Sequence, residues 1–194
     1  MLAPPRIPGH SSARGLAALV LAMVTALAAA TTDARAQSTA PAGQPRPAVT
    51  VFQGQAAQLG VKSCAGLIAQ LGDSLTQGAR FTANTQAQKN APNDHAVQAV
   101  AGLAYDAPGY QGKAAGIVFT APTRTGCEGN LVRVAPFTQS CRDVVRLLPK
   151  GSALTADLSG TPLYTLGGNQ GQALLVPSGS ACVVVTVASA MASQ

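Results

Sequence analysis

Two groups of residues in this chain have the types and spacing for chemistry. The first is Gly72-Asp73-Ser74-Leu75-Thr76-Gln77-Gly78, where a serine hydroxyl stands beside a carboxylate. A serine becomes a nucleophile only when a general base takes its proton and nearby N–H donors hold the developing oxyanion. Beyond His10 the chain has one histidine, His95, which is the candidate base. The second group is Cys64, Cys127, Cys141 and Cys182. No pair has the C-x-x-C spacing that lowers a thiol pKa for redox work. The gaps are wide and one downstream histidine accompanies them, so no metal site is expected. An even number of cysteines in an exported chain points to two structural disulfides.

Gly72 to Gly78 spell GDSLTQG, and this stretch resembles the first sequence block of the GDSL (SGNH) esterases and lipases. The resemblance implies that Ser74 is a nucleophile at the end of the first parallel strand of a flavodoxin-like α/β sheet. It also implies an oxyanion hole built from the Ser74 amide and a later glycine, with Asn93 as a further donor. The chain departs from that family's pattern at three points. The family's acid and base come from a D-x-x-H block near the C-terminus, and no histidine follows His95. Asn93 follows Ser74 too closely for the strand and helix that such a sheet needs between them. Ala65 to Leu71 has helical period, which puts Ser74 on the exposed side of a helix's last turns, with Gly78 ending it. The residues therefore read as non-catalytic, and an esterase built on Ser74, Asn93 and His95 is the alternative.

Export is written in the first 36 residues. Arg6 and Arg14 precede an apolar run from Gly15 to Ala30, and Ala34-Arg35-Ala36 follows, the order of a cleavable signal peptide of bacterial type. The run is roughly 16 residues, short of the about 20 that span a bilayer, so no transmembrane segment is expected after cleavage. The expected organisation is a signal peptide over 1–36, a Pro/Ala-rich lead-in over 37–54 and one domain over 55–194. The expected location is secreted or periplasmic.

The elements that would position these residues follow from periodicity. Cys64, Leu67, Ile68, Leu71 and Leu75 recur at helical steps behind Leu59 and predict one amphipathic helix between Gln55 and Gly78, with Ser63 capping or interrupting it. Thr82 to Asp94 reads as a loop. Strands are predicted at His95–Tyr105, Ala114–Ala121 and Leu131–Phe137, the last two as a hairpin. A short helix follows, capped by Ser140 with Asp143 in its first turn. Further strands are predicted at Ala153–Asp157, Thr161–Leu166, Ala173–Val176 and Ala181–Val187, where Val183 to Val187 forms a central strand buried on both faces. The fold class is α+β: an antiparallel sheet with an N-terminal helix and a short second helix, stapled by two disulfides.

Strand length separates Cys127 from Cys141 by about 20 Å, too far for a bond. Placing the two Ser-Cys helices side by side and parallel pairs Cys64 with Cys141 and Cys127 with Cys182. An internal duplication would instead pair Cys64 with Cys127 and Cys141 with Cys182. Charged residues are 10% of the chain, without a Lys/Arg cluster among aromatics, so nucleic acid is not an expected partner. With no tryptophan and few tyrosines, carbohydrate platforms have little to be built from. Arg124, Arg133, Arg142 and Arg146 read as solvated surface. No cofactor is expected. The expected role is a non-catalytic binding or envelope-associated module, with an envelope protein or a small molecule as partner.

Overall fold

Burial alternates residue by residue through the middle of the chain, as it must in strands with one face on a core. In Val97–Ala107, the odd-numbered positions from Val97 to Tyr105 are buried or half-buried and the even-numbered ones face out. The computed structural model describes residues 49–193, so the expected signal peptide and residues 37–48 of the expected lead-in lie outside the described residues. The helices are α1 (Val51–Gln58), α2 (Ala65–Thr76) and α3 (Cys141–Val145). The strands are β1 (Ala79–Gln86), β2 (Val97–Ala107), β3 (Tyr110–Pro122), β4 (Gly126–Phe137), β5 (Ala153–Leu158), β6 (Thr161–Thr165), β7 (Gln172–Ser178) and β8 (Ala181–Ser193). They form one antiparallel sheet of eight strands in the order β1-β2-β3-β4-β8-β7-β6-β5.

Three expectations need correction. The predicted single helix is two helices, and α1 starts inside the stretch read as lead-in. At the end of α1 the chain turns left-handed at Gly60, φ 74°. Gly60 N–H donates to Ala57 O and Val61 N–H to Ala56 O, the paired bonds that close a helix on a glycine. Ser63 lies in the turn that follows. The predicted loop over Thr82 to Asp94 begins as strand, because β1 runs to Gln86. Its outer edge is engaged by α1: Gln55 Nε2 donates to Ala83 O at 2.9 Å, and Thr85 Oγ1 donates to Gln55 Oε1 at 2.6 Å. A polar sequence can hold an edge strand when its backbone groups are paired in this way.

The disulfides are Cys64–Cys127 and Cys141–Cys182, not the expected crossed pairs. The reason is a repeat. Each half of the chain runs from a Ser-Cys pair at a helix N-terminus into a four-stranded meander, and its disulfide ties that cysteine to the second residue of the fourth strand. The approach to that residue repeats as well: Ala121-Pro122-Thr123-Arg124-Thr125-Gly126-Cys127 against Val176-Pro177-Ser178-Gly179-Ser180-Ala181-Cys182. Pro122 pairs with Cys127, and Pro177 with Cys182. Across the β4–β8 seam, Cys127 pairs with Ala192 and Cys182 with Phe137, positions related by a pseudo-dyad normal to the sheet. Each half closes its own bridge, so the helices are never partners of one another.

All three helices share one face of the sheet. Cys127, Leu131, Ala135 and Phe137 alternate along β4, and their cross-strand partners on β8 are Ala192, Ala188, Val184 and Cys182, which therefore point the same way. The larger core lies under α1 and α2 around Phe52, Ile68, Leu75, Val97 and Val118. A smaller one under α3 centres on Val144, Leu175 and Cys182. The α3 cap is as expected: Ser140 Oγ accepts from Asp143 N–H at 3.3 Å.

Candidate functional site

Gly72 to Thr76 of the GDSLTQG stretch lie in the last turns of α2, and Gln77 and Gly78 form the turn that follows. Gly72 receives the Phe52 ring of α1, whose Cε2 would lie 2.6 Å from a Cβ placed there. Leu75 is fully buried and rests on Gly116 of β3. Ser74 is exposed, and its hydroxyl donates to Gln70 O at 2.9 Å, the back-bond of a helical serine. Thr76 Oγ1 donates to Gly72 O at 2.9 Å. Partial burial raises the Asp73 carboxyl pKa, and a hydrogen bond from the Thr50 side chain opposes the shift. Gly78, φ 73°, carries the chain out of the helix into β1.

Asn93 and His95 sit at the other end of α2. Asn93 Oδ1 accepts from Lys62 N–H at 2.6 Å and Ser63 N–H at 3.1 Å, while its Nδ2 donates to Gly60 O at 3.2 Å. It thereby fastens the α1–α2 turn just ahead of Cys64. From that turn to Ser74 is about 15 Å along the helix at 1.5 Å per residue. Ser74 is thus not brought together with Asn93. His95 is exposed in the loop before β2. Replacing Asn93 by alanine leaves the turn amides to water and is expected to cost about 1–2 kcal/mol. Urea unfolding measures that loss, and no change in midpoint would remove the clamp role.

Of the four arginines read as surface, Arg133 is half-buried beneath the end of α2, and its Nη2 donates to Ser74 O and Leu75 O, both at 3.0 Å. A cation here offsets the negative end of the helix. Tyr105 Oη and Arg133 Nε are buried without a hydrogen-bond partner among the described residues. Burial pushes the Tyr105 phenol above its ordinary 10.0, against the opposing effect of the Arg133 charge. Arg146 pairs with Asp143 on α3. Among the described residues, no cluster of three or more His, Cys, Asp or Glu could hold a metal ion, and no helix is long and apolar enough to cross a membrane.

The largest unassigned feature is the sheet face away from the helices. Cross-strand pairing aligns one row of Val100, Ile117, Val132 and Val187 across β2, β3, β4 and β8. The adjacent row is Gly102, Ala115, Val134, Val185, Leu174 and Leu163. No described element covers these residues: Ile117 is 44% exposed, Phe119 42%, Val100 40% and Val134 37%. Val183, Val185 and Val187 of the central strand are only half-buried for the same reason, which corrects the expected burial on both faces. A shallow depression on this face lies between Asn84, Val100, Gly102, Ala115 and Ile117. Two neighbouring rows free of charge make an apolar patch of the kind that marks interaction surfaces. No protein-family model, no curated protein and no solved structure matches the chain.

Proposed function

We propose that the protein is an exported, non-catalytic binding module whose working surface is the helix-free face of its sheet. The observation that carries this reading is the pair of uncharged apolar rows through Ile117 and Val134, which stays open to water while the opposite face is packed. In an antiparallel sheet with one solvated face, that face is ordinarily polar. Export is supported by the signal-like order of Arg6, Arg14, the apolar run and Ala34-Arg35-Ala36, and all four cysteines are bonded, as an oxidising compartment allows. The partner belongs to the envelope, where such a surface would be covered.

Met191 reports on this reading. It stands on the same face, 86% exposed, and is the only methionine after the leader. Peroxide is expected to oxidise Met191 slowly in intact cells and rapidly in the dilute purified protein, as mass spectrometry would read. Equal rates in both settings would sink the surface reading. Catalysis is tested separately. Fluorophosphonate is expected to leave the protein unlabelled, wild type and Ser74→Ala alike, with no turnover of p-nitrophenyl acetate. Labelling that disappears in Ser74→Ala would replace this reading with a serine esterase.

A further inference from the structure

We propose that the partner on the open face is a second copy of this chain, giving a two-fold dimer of two sheets packed face to face. The proposal rests on the surface reading above and adds the occupant. Aligned sheets pack about 10 Å apart when both inner faces are apolar and free of charge. The rows through Val100, Ile117, Val132 and Val187 and through Val134 and Val185 meet that condition. Neutral polar side chains flank them, including Asn84, Gln98, Asn130 and Gln172, an apolar centre inside a polar rim. The five strands from β2 to β7 cover about 24 Å across, and the rows from Lys113 to Ala121 about 27 Å along. That footprint, about 650 Å² before corrugation is counted, is close to the roughly 800 Å² per partner of a stable interface.

The charges select one axis. At one end of the face stand Arg80 and Lys113, with Asp106 one row further out and bonded to Gln111. Glu128, beside Ala121, stands at the other end. A two-fold axis along the strands sets the basic end against the same row of the second copy and buries Lys113 near Val176. An axis across the strands leaves the row of Ile117 and Val132 facing itself and brings Lys113 of one copy over Ala121 of the other. Glu128 is then one strand away, within reach of Lys113. A self-complementary surface repeats this contact twice, which is the hallmark of a two-fold interface.

Sedimentation equilibrium on the protein purified after expression of its full sequence in an export-competent bacterium tests this directly. The expected mass at high concentration is twice that of the monomer. Ile117→Asp is expected to raise the dimer Kd at least about 100-fold, since it buries two unpaired charges, with the circular dichroism unchanged because the site is exposed. Lys113→Glu and Glu128→Lys are each expected to weaken the dimer about tenfold, and the double swap in one chain to restore it. Restoration requires the two residues to meet between copies, and a mass that stops at two copies separates the two-fold pair from a head-to-tail chain. A monomer at every concentration, a dimer indifferent to Ile117→Asp, or a double swap weaker than either single overturns the proposal. If the purified protein is monomeric while Met191 is still protected in cells, the second copy fails and the surface reading stands with a different partner. If Met191 is unprotected in cells and the protein is monomeric, both fail.

Discussion

Replacing Cys64 and Cys127 together by alanine is expected to lower the unfolding free energy by about 4 kcal/mol, about a quarter or more of what a domain possesses. The bridge closes a loop 63 residues long. In the chain-entropy account, cross-linking such a loop restrains the unfolded ensemble by about 4.3 kcal/mol, against about 3.9 for the separation of 41 between Cys141 and Cys182. The two bridges are close to equal in that respect and unequal in what they hold. Without Cys64–Cys127, α2 still has Leu67, Ile68, Leu71 and Leu75 buried against the sheet. Helix α3 has five residues and buries only Val144, and a helix that short does not persist without tertiary support. Replacing Cys141 and Cys182 is therefore expected to cost a similar free energy and also to release α3, seen as fast hydrogen exchange from Val144 to Leu148. Urea titration followed by circular dichroism measures the first effect. A loss below about 1 kcal/mol would mean that the unfolded chain is already restrained without the bridge. Non-reducing peptide maps are expected to return Cys64 with Cys127 and Cys141 with Cys182.

The strands β2, β3 and β4 were legible because one face of each alternates apolar residues at period two, and the short cap Ser140–Asp143 was legible because its side chains are its mechanism. Strand β1 was not. Thr82 to Gln86 carries turn-forming and amide residues, and only its register with β2 and the reach of Gln55 make it a strand. Those are contacts at long sequence separation, invisible to a local window. The split between α1 and α2 was masked because the helical step from Cys64 to Leu75 invites extension back to Leu59, although Leu59 and Cys64 are five residues apart, and the signal that mattered was Gly60. For the disulfides, the Ser-Cys resemblance taken by itself suggests a pair of adjacent helices. The second half of the same repeat, Pro122 to Cys127 against Pro177 to Cys182, is short enough to be overlooked, yet it fixes the pairing.

The candidate surface had a signal too, though an inverted one. Gly116 to Ala121 and Val183 to Val187 are apolar without alternation, which reads as burial on both faces. Helices that cover one face only turn the same pattern into an exposed one. Under the proposed surface reading, both faces of such a strand are covered, the second by something outside the described fold.

Gly116→Val tests how tightly the helix layer is seated, and it is expected to cost about 3 kcal/mol. A Cβ at position 116 would stand 2.7 Å from Leu75 Cδ2 and 2.9 Å from its Cγ, and Leu75 is fully enclosed. Because Leu75 is enclosed on all sides, α2 is expected to lift from the sheet, the usual origin of overpacking losses of about 1–3 kcal/mol. Leu75→Ala alone removes a buried leucine and is expected to cost about 3 kcal/mol. Together, the valine fills the space that the leucine leaves, so the double variant is expected to lose about 2–3 kcal/mol, not about 6, a coupling of about 3 kcal/mol. Gly102 on the neighbouring strand supplies the contrast. It points to the open face, where a Cβ meets nothing within 4 Å, so Gly102→Val is expected to leave the unfolding midpoint of the monomer unchanged or raise it. If the two Leu75 and Gly116 losses instead add, α2 is free to slide over β3. Leu75 and Gly116 would then each act through other neighbours, and the contact between them would not be what seats the helix.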